Sequence, residues 1–384
     1  MKAVVATDSL KGCLSSLQAG DAIRSGILRV YPDAEVQVRP LADGGEGTVE
    51  ALTLGMGGAL QTVRVTGPLG DKLDAQYGIL PDGITAILEM SAAAGITLLR
   101  DGERNPLYTT TCGVGEMIRD AIGRGCRHFI VGIGGSATND GGVGMLQALG
   151  YGMLDAEGRQ VAFGARGLEQ LKRICADEAL PELKDCRFRI ACDVSNPLCG
   201  EMGASAVYGP QKGATPAMIR QMDEWLKSYA ELARAFNPRA DRELPGTGAA
   251  GGLGFAFLSF TDAVLESGIK IVLEETRLEE YIRDADLVVT GEGRMDGQTV
   301  MGKAPVGVAA IAKKYGKPVL AFAGSVTPEA SVCNEHGIDA FFPILRSVCT
   351  LQEAMDPARA RKNLADTAEQ VFRLLKLKEP GTKP

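Results

Sequence analysis

Short apolar runs recur along this chain, and most of them end in glycine or in small polar residues. Each run has the length of a buried strand, and residues with helical hydrophobic spacing follow several of the runs. The runs that predict strands lie at 1–6, 35–38, 129–131, 188–192, 286–289, 319–323 and 340–344. Strands that alternate with helices predict an α/β protein with a doubly wound, Rossmann-like parallel sheet domain.

The pattern changes between residues 61 and 95, where short strand segments are separated by turn residues. Hairpins of this kind belong to a mixed sheet, and 384 residues exceed one ordinary core. We therefore predict a second, inserted mixed-sheet α/β domain, with the active site in the cleft between the two domains. The predicted boundaries are 1–58 plus 105–148 plus 271–384 for the discontinuous Rossmann-like domain, and 59–104 plus 149–270 for the smaller inserted domain.

The most informative stretch is 130–145, IVGIGGSATNDGGVGM, which predicts a strand, a glycine turn and the start of a helix. Glycines let a backbone approach a ligand closely, and the N–H groups of a new helix attract anions. A phosphate is the expected ligand, and the alternative is a glycine turn that only packs a helix on a strand. The spacing Gly132-x-Gly134-x-x-Ala137, with Asp155 downstream, also matches the dinucleotide fingerprint.

Other loops that follow predicted strands carry charged residues. Asp43 and Glu46 lie in the glycine-rich loop after the second strand, where two carboxylates suit Mg²⁺ beside phosphates. Solvated acids in a tight turn are the alternative. Asp193 follows another predicted strand, and Lys212 lies in a glycine loop shortly after it. These two residues are compatible with a polar cleft and equally with ordinary turn chemistry.

Composition narrows the chemistry. Lys plus Arg number 41 and Asp plus Glu number 48, so the formal charge is −7, which argues against nucleic acid or an anionic membrane as a partner. Two histidines are too few for His-based triads, so proton transfer should fall to a carboxylate. Nine cysteines without a C-x-x-C pair indicate reduced thiols in the cytoplasm rather than zinc or disulfides. We expect neither a signal peptide nor a membrane span, because no run reaches the ~18 apolar residues that a span needs.

Several motifs, taken together and in this order, resemble those of the bacterial glycerate kinase family, of the glycerate 2-kinase type. The matching segments span nearly the whole chain and are 8–12 (DSLKG), 40–48 (PLADGGEGT), 132–142 (GIGGSATNDGG), 193–198 (DVSNPL), 209–213 (GPQKG), 246–254 and 290–296 (TGEGRMD). The resemblance implies ATP-dependent phosphorylation of D-glycerate in sugar-acid or glyoxylate catabolism, with ATP and Mg²⁺ as cofactors. It implies the 2-hydroxyl as acceptor, giving 2-phosphoglycerate and ADP, although residue types alone do not separate 2- from 3-phosphorylation.

A phosphoryl transferase needs phosphates held in place, charge neutralised and a base near the acceptor hydroxyl. From residue type and motif membership, we assign the base to Asp193 and the contact with the transferring phosphoryl group to Lys11 or Lys212. Arg294 is assigned to the glycerate carboxylate as a bidentate partner, and Ser9 also to substrate binding. The other assignments are Gly134, Gly135, Ser136, Thr138 and Asn139 for phosphate, and Asp43 and Glu46 for Mg²⁺. All of these roles are hypotheses.

Two other classes of protein stay open. An NAD-dependent oxidoreductase of a small hydroxy acid would use 132–137 with Asp155, provided that an intact strand ends at Asp155. A non-catalytic sensor of sugar acids would keep the ligand cleft but would tolerate the loss of Asp193 without losing ligand affinity. The sequence favours a cytoplasmic enzyme that acts on a small molecule, and a homodimer is compatible with it.

Overall fold

The computed structural model describes residues 1–42 and 47–377, in which strands and helices alternate. The strands are β1 (Lys2–Thr7), β2 (Glu35–Val38), β3 (Ala59–Thr66), β4 (Lys72–Ile79), β5 (Thr85–Glu89), β6 (His128–Gly132), β7 (Gly152–Leu154), β8 (Arg173–Cys175), β9 (Arg187–Ala191), β10 (Ala263–Glu266), β11 (Leu287–Met295), β12 (Val319–Val326) and β13 (Ala340–Pro343). The α-helices are α1 (Ser16–Leu28), α2 (Thr48–Gly55), α3 (Ser91–Ala94), α4 (Cys112–Gly123), α5 (Val143–Ala148), α6 (Ala165–Gln170), α7 (Ala204–Tyr208), α8 (Pro216–Phe236), α9 (Leu253–Phe260), α10 (Gly268–Glu275), α11 (Leu278–Arg283), α12 (Ala304–Lys314), α13 (Leu351–Ala354) and α14 (Pro357–Lys376).

The chain forms two compact units. Unit 1 consists of Met1–Asp43 and Ile269–Pro384, and unit 2 consists of Gly44–Gly268. Unit 2 therefore interrupts unit 1 in the chain.

Unit 1 is built on a parallel sheet in the strand order β13-β12-β11-β1-β2. The apolar run of β1 is flanked by β11 and β2, and residues 3–6 are fully buried, as a strand covered on both faces requires. The chain leaves β1 toward β2 on one side and continues from β11 toward β13 on the other. The strand order thus reverses between β1 and β11.

The helices of unit 1 bury the sheet. A capping box starts α1, since the Ser15 hydroxyl accepts from the Gln18 N–H while the Gln18 side chain accepts from the Ser15 N–H. The inner face of α1 packs with that of α14 over β1 and β11. Residues of this core include Ile23, Ile27, Val289, Leu364, Ala368 and Phe372.

Unit 2 is built on a mixed sheet in the strand order β10-β9-β6-β5-β4-β3. The predicted hairpin segment forms its antiparallel half, β3-β4-β5, whereas β5, β6, β9 and β10 run parallel. In the register of the parallel half, Glu89 pairs with Gly132 and Gly132 with Ala191. Three neighbouring strands therefore end at one edge of this sheet. Both predicted sheets are present, which confirms the predicted fold class.

The structure divides the chain at other residues than those predicted. Residues 105–148 were expected in the Rossmann-like domain, but β6 pairs with β5 and β9 and so belongs to unit 2. Residues 47–58 also belong to unit 2, where α2 packs beside β4 and β5. An apolar run predicts a buried strand, but its sheet is decided by pairing with distant residues, which local pattern does not show.

Two features lie in segments without a predicted strand. The short antiparallel pair β7-β8 falls in the stretch 152–175 that has no clear periodicity, and β10 extends the mixed sheet beside β9. None of the helices within the described ranges combines the length and apolar character that a membrane crossing needs.

Candidate active site

A polar cavity lies in unit 1 where β1 and β11 end, and it encloses about 380 Å³. Open α/β sheets bind ligands outside the carboxyl ends of their strands, at the point where the strand order reverses. The turn after β1 and the final residues of β11 lie at that point in unit 1. The residues that line the cavity are Asp8, Ser9, Lys11, Glu292, Gly293, Arg294, Lys303 and Ala304. The structure thus brings together three predicted site residues, Ser9, Lys11 and Arg294.

Three of the lining side chains are cations. Lys11 and Arg294 are exposed, and Nε of Arg294 lies 3.5 Å from Oδ2 of Asp296. Nζ of Lys303 lies 3.7 Å from a carboxylate oxygen of Glu292 and 3.7 Å from one of Asp296. The Arg294–Asp296 pair is long and in contact with solvent, and such pairs contribute little energy, so Arg294 can turn to a ligand at small cost. The cavity is suited to a small anion.

Glu292 is a buried acid of this cavity, and sequence analysis assigned it no role. It is 6% exposed, and the Thr299 hydroxyl donates to its Oε1 at 2.6 Å. Burial raises the pKa of the Glu292 carboxyl, against the opposing effects of that hydrogen bond and of the Lys303 charge. A carboxyl with a raised pKa exchanges its proton closer to neutral pH, as an acid–base catalyst requires. The available clue was an acid placed between two glycines at the end of a buried strand.

Hydrogen bonds fix the position of the turn after β1. The Asp8 carboxylate accepts from the Ser9 N–H at 2.7 Å. The Ser16 hydroxyl donates to the Thr7 carbonyl at 2.7 Å and accepts from the Leu41 N–H at 2.9 Å. The Ser16 side chain therefore links the segments that follow β1 and β2. This link fixes the position of the turn that carries the cavity residues.

The predicted metal ligands Asp43 and Glu46 lie outside the described residues. Within 1–42 and 47–377, no group of three or more His, Cys, Asp or Glu residues is arranged to hold a metal ion. The Mg²⁺ site at Asp43 and Glu46 stays a prediction.

The glycine turn of unit 2 follows β6. Gly134 and Gly135 are exposed, and Ser136 beside them is buried. Gly135 has φ +72°, in the left-handed region that favours glycine. A Cβ built on Gly134 would meet nothing within 4 Å, so open space faces the backbone there. This part of the predicted phosphate loop is accessible to a ligand.

The second half of the same loop is interior. Thr138 and Asn139 are fully buried, and Nδ2 of Asn139 donates to the Ser205 hydroxyl at 2.8 Å. Their side chains therefore pack inside unit 2 and do not face solvent, in contrast to the exposed side chains expected of phosphate-binding residues. No local pattern indicates this burial, because polar residues after a glycine turn are ordinarily at the surface.

The backbone N–H groups at the start of α5 already have an acceptor within the protein. The Asp140 carboxylate accepts from the N–H groups of Gly142 and Gly144, at 3.1 and 3.3 Å. It accepts as well from the N–H and the hydroxyl of Thr111, both at 2.8 Å. The anion expected at this helix start is thus the side chain of a fully buried aspartate, which joins α5 to the beginning of α4.

Lys212 is interior as well. It is 1% exposed, and its Nζ donates to the Thr138 carbonyl at 2.6 Å. Burial lowers the pKa of Lys212 to about 7, although the charge of Asp140 opposes the shift. Of the two lysines predicted for the transferring phosphoryl group, Lys11 is the exposed one. Lys212 instead holds the backbone of the glycine loop.

Because its pKa is lowered, Lys212 should make unit 2 more stable as the pH rises from about 7 to about 10.5. In this window the unfolded chain binds more protons than the folded chain, so the free energy of unfolding increases with pH. Lys212→Met should lose about 2–3 kcal/mol of this increase between pH 7 and about pH 9.5. Urea unfolding at both pH values measures the difference. Lys184→Met, which changes an exposed lysine of the same unit, should keep the wild-type slope, whereas equal slopes in all three proteins would contradict the prediction.

Asp193 lies at the shared strand edge of unit 2. It follows β9, is exposed, and accepts from the Gly268 N–H through Oδ1 at 3.1 Å. Because β9 and β6 are neighbours with Ala191 opposite Gly132, Asp193 and the glycine turn leave the sheet at the same edge. The predicted base and the accessible part of the predicted phosphate loop are therefore grouped in unit 2.

The same edge holds a second acid that sequence analysis missed. Glu89 ends β5 and accepts from the Val49 N–H, at the start of α2, at 2.8 Å. Burial raises the pKa of its carboxyl, and hydrogen bonds from backbone N–H groups of 47–49 oppose the shift. Glu89 thus anchors the helix that follows the acidic glycine loop.

The dinucleotide alternative finds no support. A strand, β7, does end next to Asp155, but within the described ranges the only strand it pairs with is β8, in an antiparallel pair. The Asp155 carboxylate accepts from the N–H groups of Glu157 and Arg159 and forms an ion pair with the Arg159 side chain. It is engaged in its own turn, whereas the fingerprint needs an acid on a parallel strand next to β6.

Comparisons with known proteins agree on one class. A model of the glycerate kinase family matches residues 3–376. The chain is 49% identical over 372 residues to a glycerate 2-kinase of Escherichia coli (strain K12), which covers 96% of this chain and 98% of that protein. It is 47% identical over 378 residues to a glycerate kinase of Haemophilus influenzae, covering 98% and 100%. A crystal structure of glycerate kinase 2 from Salmonella typhimurium LT2 matches with a TM-score of 0.91 at 48% identity, covering 98% of both chains.

An α/β fold with cations gathered at a strand-order reversal is suited to binding a small anion. Together with this similarity it defines a kinase. The chain belongs to the glycerate kinase family. The predicted family resemblance and the predicted enzyme class are both confirmed.

Proposed function

We propose that this kinase transfers the γ-phosphoryl group of ATP to the 2-hydroxyl of D-glycerate, giving 2-phosphoglycerate and ADP. The observation that carries the proposal is the cation-lined cavity of unit 1, which holds Ser9, Lys11 and Arg294 together. The name of the Escherichia coli relative, glycerate 2-kinase, supports the choice of hydroxyl. All nine cysteines, each within the described ranges, are free thiols, which supports a cytoplasmic location. The homodimer stays a prediction.

In the proposed reaction Arg294 binds the glycerate carboxylate. Its guanidinium presents parallel N–H donors that match the two carboxylate oxygens, and its 3.5 Å contact with Asp296 is weak enough to yield to a ligand. The Ser9 hydroxyl adds a donor from the turn after β1. Lys11 places a positive charge where the phosphoryl group carries spread negative charge, a major source of stabilisation in such transfers.

The chemistry breaks the bond between the γ-phosphorus and its bridging oxygen and forms a bond from that phosphorus to the 2-oxygen of glycerate. The hydroxyl proton passes to the base, for which Asp193 remains the predicted residue. Glu292 is a second candidate, because it lies in the cavity and has a raised pKa. Mg²⁺, when bound with ATP, neutralises phosphate charge, and Asp43 and Glu46 remain its predicted ligands.

The first test is ³¹P NMR of the product formed from D-glycerate, ATP and Mg²⁺ by the purified protein. We expect a 2-phosphoglycerate signal, and we expect Asp193→Asn to lower the rate by about 10² or more, because the base is lost. Asp177→Asn, which changes an exposed acid of the same unit, is the matched control and should keep the wild-type rate.

A 3-phosphoglycerate signal would show that the 3-hydroxyl is the acceptor, and it would still support the kinase reaction. Turnover that survives in Asp193→Asn but falls in Glu292→Gln would move the base into unit 1. Absence of both phosphoglycerates would contradict the proposed function.

A further inference from the structure

A second, smaller cavity of about 140 Å³ lies in unit 1 beside the polar one. Its walls are mainly apolar and come from the turn after β1, from β11 and β12, from the residues that follow β13, from α13 and from the first half of α14. Residues that define this slot are Ile344, Leu351, Ala354, Met355, Ala360 and Asn363. Lys11 and Gly293 line both cavities, so the apolar slot and the cationic cavity adjoin.

The slot leaves apolar side chains uncovered. Leu351 is 78% exposed and Met355 is 37% exposed, whereas Ile344 and Ala360 form buried walls. Apolar walls next to a cluster of cations are complementary to a molecule with one apolar part and one anionic part. Of the two substrates of the proposed reaction, glycerate has no apolar surface of this size, and the base is the apolar part of ATP.

The polar groups of the slot also favour a nucleobase. Within residues 1–42 and 47–377, the carboxamide of Asn363 has no hydrogen-bond partner, although it is half-buried. A carboxamide presents a donor and an acceptor side by side, and adenine presents the matching N7 acceptor and N6 donor on one edge. The polarisable sulfur of Met355 suits the face or edge of an aromatic ring.

From this juxtaposition we infer that the slot binds the adenine base of the nucleotide, with Lys11 at the passage toward the phosphates. Because it presupposes ATP as the phosphoryl donor, this site rests on the proposed function. The slot would give the kinase a preference for ATP over nucleotides whose bases lack the adenine edge, since such bases would leave the half-buried carboxamide of Asn363 without a partner.

The first experiment uses a variant with a larger side chain in the slot. Ala354 lines it at the end of α13, so Ala354→Phe should raise KM for ATP by about 10-fold or more while KM for D-glycerate stays within about twofold. Ala358→Phe places the same side chain on an exposed position of α14 outside the slot and should leave both constants at their wild-type values. An unchanged KM for ATP in a folded Ala354→Phe protein would overturn the inference.

A second experiment needs no variant. The wild-type protein is irradiated with 8-azido-ATP and the labelled peptides are identified by mass spectrometry. We expect label within 344–363, and protection by adenosine. Label confined to other segments, in a protein that phosphorylates D-glycerate, would overturn the adenine site and leave the proposed function intact. Label within 344–363 in a protein that makes no phosphoglycerate would support the adenine site and contradict the proposed function.

Discussion

Lys11→Met is expected to lower kcat for D-glycerate phosphorylation by about 10²- to 10³-fold, because it removes a preorganised charge from the transferring phosphoryl group. Methionine keeps most of the length of the side chain and discards its charge. Lys11 is exposed, follows the strand end at the reversal of strand order, and lines both cavities of unit 1. Its loss should therefore act on the transition state with little effect on folding.

Steady-state kinetics at saturating ATP and D-glycerate, together with thermal unfolding, measure the effect of Lys11→Met. Lys314→Met is a suitable control, because Lys314 is an exposed lysine of unit 1 that pairs with Glu279 on the protein surface. The control should keep kcat within about twofold, since surface pairs contribute little. If Lys11→Met retained kcat while Lys303→Met lost it, the phosphoryl contact would belong to Lys303.

Asp140→Ala is expected to lower the free energy of unfolding of unit 2 by about 3–5 kcal/mol, because it leaves several buried donors without an acceptor. Asp140 is fully buried and accepts from two groups of Thr111 and from the N–H groups of Gly142 and Gly144. A Cβ at Gly144 would collide with the Thr110 hydroxyl and lie close to the Asp140 carboxylate, so the start of α5 is tightly packed against both side chains.

Urea unfolding of the whole chain measures this loss, and two units allow two transitions, of which only that of unit 2 should shift. Asp177→Ala removes an exposed acid of the same unit and should change stability by no more than about 0.5 kcal/mol. A loss below about 1 kcal/mol in Asp140→Ala would show that water or neighbouring groups replace the carboxylate easily.

Local pattern predicts most of the strands, although not β7, β8 and β10. Buried strands such as β1 and β11 are near-continuous apolar runs, and the residues that follow such strands at the edge of a parallel sheet are placed by the topology itself. Ser9, Lys11 and Arg294 are assigned to the site from residue type and motif membership, and the structure places all three in the lining of one cavity.

Burial of polar residues could not be predicted in the same way. Lys212, Thr138 and Asn139 are residue types that are mostly exposed, but here they are buried, with Lys212 donating to the Thr138 carbonyl and Asn139 donating to the Ser205 hydroxyl. The chemical role of Glu292 could not be predicted either. Its suitability as an acid–base group depends on its pKa, which is set by burial and by neighbouring residues, and local sequence shows neither of these.

The insertion of unit 2 has a consequence for the order of events during synthesis. The interior strand β1 pairs with β11, so Ala3 must wait for Leu287, which the ribosome adds 284 residues later. Unit 2 is contiguous in the chain and is complete before β11 has been made. Domains generally fold as units while the chain grows, so unit 2 can fold first and shorten the loop that closes the sheet of unit 1. Until then the first strand, with its apolar surface, has to be kept from other partners.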